Sequence, residues 1–260
     1  MAQNILELYR FRELLLSWTM RELRLRYKQS LLGGIWAILQ PLALMLLFVL
    51  VFSYFVHLPT DGIPYPIFVY TALLPWTYFA TSLSFGVPSL VNNTSLVTKI
   101  YFPREILPLA SIGAALVDLC IASVVLVFLM LAYHVPFHPT LLWVPLLLIV
   151  QTMVITGVTL FASMANAFYR DVRFILPLVI QAWMYATPII YPLSVVPDWL
   201  LPLYLLNPMA GLIDSYRRVI LKGLPPDWLS LSLACGISIL VFLGSYVFFK
   251  RAEGVLPDVI

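Results

Sequence analysis

The chain has 260 residues, of which 62% are hydrophobic and only 10% charged, with a mean hydropathy of +0.97 and a formal net charge of +3. A soluble domain carries about 25% charged residues, so this composition excludes an ordinary water-soluble protein. It predicts an all-α integral membrane protein, in which the positions of the charges are more informative than their sum.

A basic segment precedes the first apolar span. Residues 1–34 carry six Lys and Arg residues and cannot cross a bilayer. About residues 4–29 are predicted to form an amphipathic helix, with Leu16 and Met20 in its apolar sector and Arg21 and Arg24 in its basic sector. Such a helix is typical of an interfacial anchor held by anionic lipid. A docking surface for a protein partner is compatible with the same pattern.

Six apolar stretches are each about the length that a spanning helix needs. They predict a bundle over residues 35–249, between the N-terminal interface helix (1–34) and a short tail (250–260). The predicted spans are 35–56, 67–90, 107–133, 141–165, 174–193 and 229–249.

The Lys and Arg residues predict the orientation of this bundle. Twelve of the 15 lie in the N-terminal segment, in loops 91–106 and 166–173, or at the C-terminus. By the positive-inside rule, both termini are cytoplasmic. The three exceptions lie in the long outer loop 194–228, where we expect Arg217 and Arg218 at the outer water boundary. Because the apolar pieces of this loop are too short to span, they favour re-entrant or interfacial helices; a surface loop packed on the bundle is the alternative.

The motifs of an enzyme are missing from the sequence. No G-x-x-x-x-G-K-[ST] motif occurs, so the chain has no P-loop with which to bind ATP phosphates. The histidines have neither metal-ligand spacing nor a serine nearby at depth. One acid, Asp118, lies near the middle of a predicted span. A functional role and a structural role, in which the carboxyl bonds to another helix, both remain open.

Several short motifs, in their order along the whole chain, resemble the permeases of type-2 ABC exporters that move lipid-linked polysaccharide. Each motif alone is weak, and the ordered set is specific. The motifs are Arg26-Tyr27-Lys28-Gln29-Ser30-Leu31-Leu32-Gly33 with Trp36 and Gln40-Pro41, Leu74-Pro75-Trp76, Ser89-Leu90-Val91-Asn92-Asn93, Lys99-Ile100-Tyr101-Phe102-Pro103-Arg104-Glu105, Phe168-Tyr169-Arg170-Asp171-Val172, Pro188-Ile189-Ile190-Tyr191-Pro192 and Asn207-Pro208-Met209.

The resemblance implies a homodimer of six-helix subunits with two separate ATP-binding subunits. The chain would then bind no cofactor itself, since ATP and Mg²⁺ belong to the partner ATPase, and no nucleic acid. Segment 91–106 would contain a coupling helix, and 166–173 would face the same partner or brace that helix. The residues predicted to couple to the ATPase are Lys99, Phe102, Arg104, Glu105, Arg170 and Asp171.

The resemblance also implies a substrate path at the dimer axis, lined by spans 35–56 and 174–193. Segment 198–223 would form paired re-entrant helices that close its outer end. Sugars need weak, interchangeable contacts to keep moving, which aromatic faces offer. The predicted path contacts are Tyr54, Gln181, Trp183 and Tyr185. The lipid diphosphate needs cations at the inner boundary, and Arg24, Arg26 and Lys28 are the nearest.

The function predicted from the sequence is that of the membrane subunit of an ATP-driven exporter, which moves a lipid-linked polysaccharide such as O-antigen, capsule or teichoic acid across the cytoplasmic membrane. For an O-antigen this places the chain in lipopolysaccharide biosynthesis. An exporter of a drug or a small lipid on the same scaffold is the nearest alternative. An integral-membrane sugar-transfer enzyme is a more distant one.

Overall fold

The computed structural model describes residues 9–58, 60, 62–99 and 102–256, and 79% of the structure is helical, with no strand among these residues. This confirms the predicted all-α class. The predicted start of the interface helix at residue 4 lies outside the described residues.

Eleven α-helices follow one another along this part of the chain. Short 3₁₀ turns precede α2 and α7, and a π-helical turn, Val49–Val56, extends α2. The helices are α1 (Arg12–Tyr27), α2 (Trp36–Phe48), α3 (Tyr65–Gly86), α4 (Ser89–Asn92), α5 (Thr94–Lys99), α6 (Ile106–Ala132), α7 (Val144–Phe168), α8 (Val172–Tyr185), α9 (Leu201–Leu205), α10 (Pro208–Ile220) and α11 (Trp228–Ala252).

Four helical segments are long and apolar enough to cross a membrane. They are Gly33–Val56, Ile106–Ala132, Pro139–Phe168 and Trp228–Ala252, which correspond to four of the six predicted spans. The other two predicted spans, 67–90 and 174–193, overlap α3 and α8 but extend beyond their ends, and each helix departs from a standard span for its own reason.

Helix α3 is the centre of the bundle. Sixteen of its 22 residues are buried, and it packs against α2, α6, α7 and α10. A helix that faces other helices needs less hydrophobicity than one that faces lipid, which allows α3 to carry Thr71, Trp76 and Tyr78. Helix α8 is apolar but has only 14 residues, about 21 Å at 1.5 Å per residue, against roughly 30 Å of hydrocarbon.

Close contacts hold α7 against both α3 and α11. The Gln151 side chain of α7 donates a 2.7 Å hydrogen bond to the Pro75 carbonyl of α3 and accepts one of 3.0 Å from the Tyr216 hydroxyl of α10. A Cβ atom added at Gly157 would lie 2.9 Å from the Phe242 backbone of α11. Small residues at such crossings let helix backbones approach closely inside a membrane.

Helices α9 and α10 occupy the segment that is predicted to be re-entrant. The break falls where the sequence places it, because Asn207 caps α10 and its side chain accepts a 3.1 Å hydrogen bond from the Met209 amide. The apolar residues at helical spacing along α10 are buried. The expectation that Arg217 lies at the outer water boundary is wrong, since Arg217 is only 2% exposed.

The interface helix α1 packs on α6. Its residues Leu14, Leu15 and Trp18 contact a second apolar cluster, whose buried members come from four parts of the chain. We call this the end cluster; it contains Leu90, Val97, Phe102, Ile106, Leu107, Leu160, Met164, Ala167, Phe249 and Leu256. Leu16 and Met20, which the sequence places in the apolar sector, are exposed instead.

Candidate functional site

The predicted coupling residues gather at one end of the bundle. Helix α5 ends at Lys99, which is exposed, whereas Phe102 is buried in the end cluster. The end of α7 contributes Met164 and Ala167 to the same cluster. Arg170 and Asp171 lie in the short connection between α7 and α8 and are exposed. The two loops that the sequence assigns to one partner are therefore neighbours in the structure.

An ionic network ties this coupling segment to the end of α11. The Lys250 ammonium lies 2.7 Å from Glu105 Oε2 and 2.9 Å from Glu253 Oε2. The Arg104 backbone amide donates to Glu253 Oε1 at 3.2 Å, and the Arg104 guanidinium donates to the Glu253 carbonyl. Glu105 is 1% exposed. Burial raises the pKa of its carboxyl, and the Lys250 ammonium opposes that rise.

The four predicted path residues differ in what they contact. Tyr54, Gln181 and Tyr185 are exposed, with Tyr54 at 75%. Trp183 instead packs edge-on against Phe79, with 4.9 Å between ring centroids, and its indole N–H donates to Asn207 Oδ1 at 2.9 Å. The structure thus gives Trp183 a packing role that holds α8 on α3 and α10.

Helices α2 and α8 present apolar surface that the rest of the chain does not cover. No residue of α8 is buried, and its exposed side chains include Phe174, Ile175 and Leu178. The π-helical turn after α2 exposes Tyr54 and Phe55. Lipid or another protein chain must cover such surfaces in a membrane.

Asp118, whose role the sequence leaves open, is paired with the interface helix. Its carboxylate lies 2.9 Å from Arg26 Nη1 and accepts a 2.7 Å hydrogen bond from the Tyr27 hydroxyl. Arg26 Nη2 donates to the Ser111 carbonyl at 3.0 Å, and the guanidinium lies 4.1 Å from the Phe85 ring centroid. The Arg26 side chain is only 6% exposed. Of the three predicted diphosphate ligands, Arg24 and Lys28 remain exposed.

A cavity of about 370 Å³ opens beside this ion pair. Polar and aromatic side chains from α1, α2, α3 and α6 line it, and we call it the polar cavity. Its lining includes Arg26, Tyr27, Trp36, Gln40, Thr77, Tyr78, Thr81, Ser84, Phe85 and Asp118.

Arg217 organises the opposite end of the bundle, and the sequence does not predict this role. Its guanidinium donates to the carbonyls of Pro188 at 2.6 Å, Tyr191 at 3.2 Å and Ile189. It also donates to the Phe68 carbonyl at 3.3 Å and lies 3.6 Å from the Phe68 ring centroid. The sequence does offer one signal: Arg217 lies in the loop predicted to be outside, against the positive-inside rule, and a cation shielded from water needs partners.

Among the described residues, no three His, Cys, Asp or Glu side chains lie close enough to hold a metal ion. The polar groups lie in networks that join separate helices. Such networks hold the helices that they join against one another.

Comparison with known proteins places the chain in a family. The model of the ABC-2 type transporter family matches residues 13–221. The O-antigen export system permease protein RfbA of Myxococcus xanthus is 31% identical over 258 residues, covering 97% of this chain and 98% of the relative. A Klebsiella pneumoniae protein of the same name is 32% identical over 92% of each chain. The polysialic acid transport protein KpsM of Escherichia coli is 25% identical, over 92% of this chain and 93% of the relative.

The family match covers the interface helix, the coupling segment, the polar cavity and the Arg217 contacts. Four helical segments of this chain can cross a bilayer by length and composition. The chain is therefore a multi-pass membrane protein that belongs to the ABC-2 type transporter family.

Proposed function

We propose that the chain is the permease subunit of an ATP-driven exporter of a lipid-linked polysaccharide of the O-antigen or capsule class, and not an enzyme. The observation that carries the proposal is the end-to-end similarity to a relative named as an O-antigen export permease, over 97% of this chain. The 25% identity to a polysialic acid transport protein supports a polysaccharide over a drug or a small lipid.

The partners in this proposal are a second copy of the chain and two ATP-binding subunits. The uncovered apolar surfaces of α2 and α8 support a dimer, because the same surfaces of a second copy could cover them in place of lipid. ATP and Mg²⁺ belong to the ATPase, and this chain binds no cofactor. Lys99, Arg104, Arg170 and Asp171 are the groups that would contact the ATPase, with Phe102 and Glu105 holding them in place from within.

We place the substrate path between α2 and α8 of the two copies. Tyr54, Gln181 and Tyr185 face it in this proposal, and Trp183 supports it from behind. The exposed Arg24 and Lys28 would bind the lipid diphosphate at the inner boundary, since phosphate groups favour such cationic sites. Arg26, which the sequence groups with them, is engaged by Asp118 in the state described here.

The topology in this proposal has six spans in the inner membrane and both termini in the cytoplasm. Helix α3 is the second span, and α8 with the turn after it is the fifth. Helices α9 and α10 are re-entrant from the outside. The orientation rests on the distribution of Lys and Arg.

Cysteine labelling tests the topology with two identical substitutions at exposed serines. In a background with Cys120 and Cys235 replaced by Ala, Ser194→Cys should react with a membrane-impermeant maleimide in intact cells. Ser95→Cys should react only after permeabilisation, because it lies in α5 on the cytoplasmic side. Labelling of Ser95→Cys in intact cells contradicts the orientation.

Assembly and export test the function itself. The purified chain should hydrolyse no ATP alone and should co-purify with an ATP-binding subunit, because it has no P-loop. Deleting its gene should remove the glycan from the cell surface and leave lipid-linked glycan inside the cell. An unchanged surface glycan in the deletion strain, or robust ATP turnover by the chain alone, rules the proposal out.

A further inference from the structure

The polar cavity lies within one chain, and its lining does not include Tyr54, Gln181 or Tyr185, the contacts assigned to the path. Interface helix α1, first span α2, and α3 and α6 each contribute to its wall. Its volume of about 370 Å³ lies at the lower end of the range of about 300–1,000 Å³ for small-ligand sites. The side chains along its wall decide what it can hold.

The charges at the wall neutralise each other. Arg26 and Asp118 are 2.9 Å apart, and their side chains are 6% and 16% exposed. The pair gives the cavity no net charge, so it attracts neither an anion nor a cation from a distance. The carboxylate keeps spare capacity, since it offers about four lone-pair positions and Arg26 and Tyr27 occupy two of them.

Several polar groups at the cavity have no partner in the described part of the chain. The side chains of Gln40 and Ser84, which are exposed, and of Thr81, which is half-buried, line it and make no hydrogen bond to another described residue. Arg26 Nε is buried and also lacks an acceptor there. Thr77 lines the same wall, but its hydroxyl already donates to the Leu74 carbonyl at 2.9 Å. Of the four unpaired groups only Arg26 Nε is buried, and the other three are accessible to water or to the hydroxyls of a ligand.

An aromatic face completes the wall. Trp36 lines the cavity and is 45% exposed. A flat aromatic ring beside amide, hydroxyl and carboxylate groups is suited to binding a sugar. The apolar face of the sugar stacks on the aromatic ring, while the sugar hydroxyls donate and accept hydrogen bonds.

We propose that the polar cavity binds one neutral sugar ring of the exported saccharide. The inference rests on the proposed function for the identity of the saccharide. In this site the sugar hydroxyls donate to Asp118 and exchange hydrogen bonds with Gln40, Thr81 and Ser84, and Trp36 covers one face. The ring thereby lies beside the helix that carries Arg24 and Lys28.

The same chemistry argues against two other occupants. A phosphate would meet the Asp118 carboxylate, and it could gain Arg26 only by breaking the existing pair. A lipid acyl chain would cover Gln40, Thr81 and Ser84 without offering any of them a hydrogen bond. Water alone can satisfy these groups, and the experiment separates that outcome from a sugar.

Protection of a cysteine in the cavity tests the proposal. Ser84→Cys, with Cys120 and Cys235 replaced by Ala, is carried in the complete transport complex. Inside-out membrane vesicles without ATP are prepared from two strains, one that makes the glycan and one that cannot begin its synthesis. N-ethylmaleimide should label Ser84→Cys several-fold more slowly in vesicles that contain the glycan.

Two matched threonine variants show whether protection depends on direct contact. Thr81→Val removes an unpaired hydroxyl from the wall and should weaken occupancy about fivefold. Thr77→Val makes the same chemical change where the hydroxyl is already bonded, so protection should remain. Free inorganic phosphate added to glycan-free vesicles should give no protection.

Equal labelling of Ser84→Cys in both kinds of vesicle overturns the proposal and leaves only water in the cavity. Equal loss of protection in the two threonine variants also overturns it, because the effect would then be a general disturbance of α3. Neither result touches the proposed function, which fails only if deletion of the gene leaves surface glycan unchanged.

Discussion

Arg217→Ala is expected to lower the free energy of unfolding by about 3–5 kcal/mol. The guanidinium donates to four backbone carbonyls, three of them in the turn after α8, and it is 2% exposed. Each buried carbonyl without a donor costs about 1–3 kcal/mol, and local rearrangement recovers part of that sum. In a chain of this size we expect the melting temperature in detergent to fall by roughly 10 °C.

Arg218 offers a matched control one residue away. Its side chain is partly exposed and donates to the Pro225 carbonyl at 3.1 Å, so Arg218→Ala should cost no more than about 1 kcal/mol. The melting temperature of Arg217→Lys should fall between those of the two alanine variants, because one ammonium group cannot reach all the carbonyls that the planar guanidinium contacts. If both alanine variants melt together, Arg217 does not hold the turn.

The turn that Arg217 holds shows why its role was not visible in the sequence. Pro188-Ile189-Ile190-Tyr191-Pro192 is recognisable as a motif, yet the feature that it offers is a set of backbone carbonyls. Every residue carries a backbone carbonyl, so the sequence does not show which carbonyls accept a hydrogen bond. The motif and the unusual cation are each recognisable in the sequence, but only tertiary packing brings them together.

The ion pair between Asp118 and Arg26 is likewise not predictable from the sequence. The sequence identifies Asp118 as an acid at membrane depth and Arg26 as a cation near the membrane surface. They lie 92 residues apart in the chain, and no local pattern links them. What the sequence does predict well is local: the long apolar helices, the break before Pro208, and the buried face of α10.

Hydropathy misjudges helices whose surroundings are protein instead of lipid. Helix α3 is less apolar than the four recognised spans because other helices cover it on most sides. Helix α8 is apolar but short, because it ends at Tyr185 and the chain then turns at Thr187 and Pro188. The Pro188 carbonyl in this turn accepts a hydrogen bond from Arg217. Length and composition describe contact with lipid, and both helices are determined by contacts within the protein.

The second large effect is expected at the ion pair between Glu105 and Lys250. The sequence alone predicts a direct contact between Glu105 and the ATPase. Since the carboxylate is 1% exposed and lies 2.7 Å from the ammonium, reversing its charge must break this pair first. Glu105→Lys places two cations together in a buried site, and Lys250→Glu gathers three carboxylates. Each variant should lose about 3–5 kcal/mol of stability and most of the export.

The double variant Glu105→Lys with Lys250→Glu separates the pair from the individual side chains. It restores opposite charges at the same two positions, and the new lysine lies near both Glu253 and the new glutamate. The free energy of unfolding should return to within about 1 kcal/mol of the parent value, and the coupling energy between the two substitutions should be strongly favourable.

The amount of glycan exported per ATP hydrolysed shows whether the pair also has a role in coupling. If the pair only stabilises the fold, that ratio stays at the parental value in every variant that folds; if it transmits movement from the coupling segment to α11, the single variants hydrolyse ATP without export and the double variant regains it. Single variants that match the parent both in stability and in export per ATP hydrolysed would show that the pair carries neither role.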